Sequence, residues 1–126
     1  MNIPIYRAKK IDGEEYVEGF YIDGHIVNID YEGFETYEKI DESTLSIHFE
    51  GMLDSEGAKI FASLSDDGKG GDKAFCHELP EIFLWDSLNA CVCLKNRHSY
   101  TALFKDGSTN AKVSTFHKYK IIGIQG

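Results

Sequence analysis

Residues 15–30, EYVEGFYIDGHIVNID, decide the fold class. Two runs rich in β-branched and aromatic residues, 15–22 and 25–30, flank the dipeptide Asp23-Gly24. Asp and Gly both tolerate positive φ, which a type I′ turn requires at its two central positions. The spacing predicts a tight β-hairpin. Working outward, residues 3–10 predict a short strand entering on Ile3 and Ile5, with a basic end at Arg7, Lys9 and Lys10. Asp12-Gly13 is the turn that leads from it into the hairpin.

Further along, residues 31–42 are acidic and aromatic, with Tyr31, Phe34 and Tyr37. They predict a loop or an irregular edge strand. Residues 43–49 (STLSIHF) alternate, with Leu45, Ile47 and Phe49 on one face and Thr44, Ser46 and His48 on the other. That pattern predicts a strand buried on one side only. A turn at 54–57, a short strand at 59–64 and the breaker 65–72 (SDDGKGGD) follow. Strands are expected at 73–77, 82–85, 90–94, 100–104, 112–116 and 119–124, with turns at 96–99 and 105–110. No helical periodicity runs beyond a turn or two. The reading is a mainly β protein with a small barrel or sandwich, one domain over 1–126, with 1–64 and 71–126 as parts joined by the loop 65–72.

Composition supports a packed core. The chain has 126 residues, 42% apolar, with eight Phe and seven Tyr. A chain this size buries roughly two-thirds of its unfolded surface without staples. No run approaches the length of apolar chain that spans a bilayer, so no membrane segment is expected. Residues 1–10 lack the apolar stretch of a signal peptide. The three cysteines, Cys76, Cys91 and Cys93, predict reduced thiols in a cytoplasm.

Charge is unevenly spread. The net charge is −8, and between Asp12 and Glu56 the only base among 14 acids is Lys39. From Lys95 to Lys120 six bases accompany the single acid Asp106. The acidic total argues against direct nucleic-acid binding, which draws its affinity from Lys and Arg on phosphates. The two-signed layout suits internal pairing of the halves, or pairing of one copy's tail with another copy's front.

Each candidate site has a plainer structural explanation. Lys69 between glycines in 65–72 lacks the Ser or Thr of a phosphate loop, and Asp66, Asp67 and Asp72 miss the spacing of a calcium loop. Cys91-x-Cys93, with Cys76 and a histidine, departs from zinc-ligand spacing. His25, His48, His77, His98 and His117 lie in no catalytic frame and are expected on surfaces or rims. His48, His77 and Asp72 form the best hydrolytic guess available. Glu14, Glu15 and Glu18 read as a solvated edge. Phe83, Trp85, Tyr100 and Phe104 read as core. No catalytic, cofactor-binding or metal-ligating residue is assigned.

Two blocks carry a family resemblance. Residues 4–21 (PIYRAKKIDGEEYVEGFY) resemble the opening of YopX-like proteins of phages and prophages. Residues 43–61 (STLSIHFEGMLDSEGAKIF) resemble that family's central block, with Gly51, Asp54, Gly57, Ile60 and Phe61 on its marks. Gly71-Asp72 and residues 119–124 (YKIIGI) fit its later motifs. The chain departs from the pattern by inserting ASLSDDGKG between Phe61 and Gly71, and 74–112 carries no family signature. The resemblance implies a mainly β fold with a barrel-like part, in a mobile-element protein that is often oligomeric. It brings no catalytic residues. Asp54 and Gly57 fit a hairpin-capping turn, and Gly71 a conformation that a Cβ would resist.

The expected function is therefore non-enzymatic: a cytoplasmic, phage-derived, self-associating protein-binding module, acting as a homo-oligomer or on a host protein. The alternatives are a host-takeover or anti-defence protein that masks a nucleic-acid-binding host protein with its acidic half, and a small hydrolase or ligand-binding barrel.

Overall fold

Asp23 and Gly24 both take positive φ, 46° and 80°, and the hairpin forms as its turn chemistry requires. The computed structural model describes residues 4–76, 79–87, 91–95, 100–104 and 119–126. Strands β2 (Tyr16–Ile22) and β3 (His25–Ile29) pair through Phe20↔Val27, Tyr21↔Ile26 and Ile22↔His25. Strand β1 (Ile5–Lys10) joins β2, and β4 (Glu35–His48) joins β3. Strands β1 and β4 then pair with each other, which closes a four-stranded barrel. Ala8, Ile26, Ile40 and Leu45 fill it, with Tyr6, Val17 and Tyr21 packed against them.

The rest of the sheet grows from the far end of β4. There β4 pairs with β5 (Ala62–Ser63), and β5 runs parallel to β7 (Leu79–Asp86). Strand β7 pairs with β6 (Asp72–Cys76) and with β8 (Cys91–Lys95). Strand β9 (Tyr100–Phe104) adds to β8, and β10 (Ile121–Ile124) adds to β6. A second core lies here, built on Ile47, Met52, Ile60, Phe83, Val92 and Leu94. Among the described residues there are ten strands and no helix, so none is long and apolar enough to cross a membrane. The mainly β fold with a small barrel stands as the sequence predicts.

Local expectations need correction at four places. Of the loop or irregular edge strand expected at 31–42, residues 35–42 are strand, the first half of β4, and not an edge, since it pairs with β3 from Ile29↔Glu35 to His25↔Lys39 and with β1 through Asp41 and Ile40. The break expected near residue 42 is a bulge, because the β1–β4 register shifts between Arg7↔Ser46 and Lys9↔Asp41. Within it Asp41 Oδ1 accepts hydrogen bonds from the Ser43 amide and hydroxyl, at 3.0 and 2.6 Å. Thr44, Ser46 and His48 are buried rather than solvated, since 60–72 folds over that face of β4. Only Ala62–Ser63 of the strand expected at 59–64 joins the sheet, with an isolated Leu53↔Lys59 bridge before it.

Gly71 is required for space rather than for an unusual φ: a Cβ there would lie 2.7 Å from the Phe83 carbonyl oxygen. The strand expected at 112–116 and the turns at 96–99 and 105–110 lie outside the described residues.

Candidate partner-binding face

The pairing register sorts the side chains of β2, β3 and β4 into two faces. Tyr21, Ile26 and Ile40 point into the barrel, so their neighbours in sequence point out. The outer face carries the cross-strand row Phe20, Val27, Tyr37 and the row Ile22, His25, Lys39. Val27 is buried between Phe20 and Tyr37, while Phe20, Ile22, Ile29 and Tyr37 remain exposed. The His25 and Tyr37 rings meet edge-on at 6.3 Å.

The turn from β3 to β4 extends this face and is internally locked. Asp30 Oδ1 accepts hydrogen bonds from the amides of Glu32 and Phe34, both at 2.9 Å. The Asp30 amide donates to the Phe34 carbonyl and the Gly33 amide to the Asp30 carbonyl, both at 3.0 Å. Gly33 supplies the positive φ the turn needs, 89°. With the backbone satisfied internally, the rings are left outside it: Tyr31 is 97% exposed and Phe34 68%. Glu35 stands opposite Ile29 on this face, the turns at its ends carry Asp23, Asp30 and Glu32, and Lys39 is the one base the register of β3 and β4 places on it. Sequence reading singled out Tyr31, Phe34, Tyr37 and the acids but missed the face, because the register that turns Phe20, Ile22, Ile29 and Tyr37 to one side is a pairing between strands.

Of the three residues of the hydrolytic guess, His48 and Asp72 are described and both are buried. His48 is only 6% exposed, and its Nδ1 lies 3.0 Å from the Ile60 carbonyl oxygen. Burial lowers its pKa, so the ring is held neutral. Asp72 is also buried, and both of its oxygens are engaged. Arg7 Nη2 donates to Oδ1 at 2.8 Å, and the Phe61 amide donates to Oδ2 at 2.8 Å. Burial pushes the Asp72 carboxyl upward against the pull of Arg7 and that amide. Arg7 Nη2 also donates to the Gly70 carbonyl at 2.8 Å, and its guanidinium lies 4.5 Å from the Phe61 ring centre. Arg7 Nε is buried with no hydrogen-bond partner among the described residues. His77, His98 and His117 lie outside the described residues.

The other candidates separate. Asp72 turns inward to Arg7, Asp67 Oδ1 accepts from the Lys69 amide at 3.0 Å, and Asp66 lines a groove, so the three do not converge. Among the described residues no three His, Cys, Asp or Glu form a metal-binding group. Cys91 and Cys93 are buried and stand in no disulfide, and the side chain of Cys76 lies outside the described set. Phe83 is core, and Trp85 packs half-buried on Phe49 at 5.1 Å. The side chains of Tyr100 and Phe104 lie outside the described set. Glu14, Glu15 and Glu18 pair with Lys9, Lys10 and Lys59 at 3.9, 3.1 and 3.4 Å.

A groove of about 330 Å³ runs beside β7, floored by Pro80, Ile82 and Leu84 and edged by Asp66, Asp67 and Lys95. Neither His48 nor Asp72 lines it. The front acids and the tail pair across the chain where Lys120 Nζ lies 3.3 Å from Glu56. No family model, curated protein or solved structure matches this chain.

Proposed function

We propose that this chain is a non-enzymatic, YopX-like, phage-derived protein-binding module that works in a cytoplasm and docks basic partners on the outer face of β2, β3 and β4. The observation that carries this is the group Phe20, Ile22, Ile29, Tyr31, Phe34 and Tyr37, exposed together inside a fringe of carboxylates. Exposed apolar groups of this kind, rimmed by charge, mark interaction surfaces. The fringe steers cationic partners toward the face and rejects acidic ones.

Two copies joined face to face would set acid against acid. Self-association therefore takes a head-to-tail form, with the basic stretch 95–120 of one copy on the acidic face of the next. Light scattering on a sizing column, at low and at molar salt, tests this. An oligomer at low salt that falls to monomer at high salt is expected. A mass unchanged by salt removes the electrostatic head-to-tail contact.

A further inference from the structure

The residues of the β3–β4 hairpin end alternate in a way that a merely acidic surface does not. Tyr31 stands between Asp30 and Glu32, Phe34 precedes Glu35, and the Tyr37 hydroxyl donates to Glu35 Oε2 at 2.7 Å. Residues 30–37 are all exposed, and the turn they form is locked by the Asp30 carboxylate. Each ring thus carries an anion beside it, on a backbone whose shape is set before any partner arrives. A single nucleic-acid strand has the same grammar, one flat ring and one anion per unit.

We propose that this hairpin end mimics single-stranded nucleic acid, and that it occupies the basic, ring-lined groove of a protein that binds such strands. The proposal rests on the protein-binding reading above and names its partner. Grooves for single strands combine Lys and Arg along the backbone path with aromatic side chains that stack on bases without regard to sequence. Tyr31 and Phe34 supply faces for those platforms. Asp30, Glu32 and Glu35 meet the bases that otherwise neutralise phosphates. The chain's own acidity keeps it off nucleic acid and off anionic lipid surfaces, which leaves a basic protein groove as the complement. The preset turn reduces the ordering that docking requires.

The test is a column of the immobilised chain, loaded with a bacterial lysate freed of nucleic acid, at about 100 mM salt, where charge attraction still reaches. Retained proteins are released either with a single-stranded oligothymidylate or with polyglutamate of equal total charge. Release by the oligonucleotide at a concentration at least roughly tenfold lower than polyglutamate is expected, because only the oligonucleotide also competes for stacking. A second column carrying Tyr31→Ala and Phe34→Ala is expected to lose roughly tenfold or more of that retention. Circular dichroism confirms that this variant is folded. Equal release by both polyanions, or full retention on the variant column, overturns the mimicry and leaves charge-driven protein binding in place. A wild-type column that retains nothing overturns both.

Discussion

Arg7 and Asp72, separated by 65 residues of sequence, meet as a buried ion pair at 2.8 Å. Through it the first strand holds the loop 65–72 against β4, with the Gly70 carbonyl as a second anchor. Asp72→Asn keeps an oxygen for the Phe61 amide but strands a buried guanidinium. The expected loss is about 3–5 kcal/mol by urea unfolding, as for a broken buried pair. Adding Arg7→Met to Asp72→Asn removes the stranded charge and is expected to recover part of that loss. Additive losses would show that the two side chains are not coupled.

His48 gives the fold a pH dependence with a definite sign. Its buried ring has a pKa below the ordinary value of 6.5, so the unfolded chain takes a proton first as pH falls. Stability is expected to drop from pH 6.5 downward, until the folded ring itself protonates. The variant His48→Gln flattens that slope. A slope of unchanged size in the variant assigns it to another group.

Gly24 and Gly70 have nearly the same φ, 80° and 83°, and very different surroundings. A Cβ on Gly24 meets nothing within 4 Å, so Gly24→Ala bears only the left-handed strain, about 1–2 kcal/mol. A Cβ on Gly70 would fall 1.9 Å from the Thr44 carbonyl oxygen, and backbone has to move. Gly70→Ala is expected to lose about 4 kcal/mol or more, in the range reserved for severe disruptions. Melting temperatures of the two variants check this, and similar values would contradict it.

Asp54 ties the chain's last strand to the turn after β4. Its carboxylate accepts from the amides of Glu56, Ala58 and Ile121 at 2.8, 2.9 and 3.1 Å. Burial works to raise its pKa, but those three donors outweigh it and hold the carboxyl below the usual range. Its contribution is therefore present above about pH 4 and is lost as pH falls through the folded value. Asp54→Ala is expected to lose roughly 2 kcal/mol, on the scale of hydrogen bonds to a charged acceptor. Hydrogen exchange at Ile121–Ile124 is expected to quicken more than at β2 and β3. Uniform quickening would mean that the tie is not local.

Sequence alone carried the hairpin, because Asp23-Gly24 and the flanking residues are local signals. It also carried the strand β9, the turn at Asp54 and the breaker 65–72. It left the first half of β4 open between loop and edge strand, because acidic residues with low strand propensity are recruited there by pairing with β3 and β1, a long-range effect. It failed at Thr44, Ser46 and His48, whose polar character signalled solvent. Their cover comes from 60–72, which no alternation within β4 reveals. The outer face was half legible: Tyr31, Phe34, Tyr37 and the acids were visible in the sequence, but only the register of β2, β3 and β4 brings Phe20 and Ile22 to the same side.

Strand β4 serves two neighbourhoods along one unbroken backbone. Its early residues hold the hairpin bearing Tyr31 and Phe34, and Ser46 and Ile47 pair with Ser63 and Ala62 in the larger sheet. A tug on the hairpin end thus travels lengthwise into the middle of the molecule. There it meets the β1–β4 ladder in shear, where many hydrogen bonds share the load, instead of peeling them singly. A surface built this way can be pulled on without coming loose.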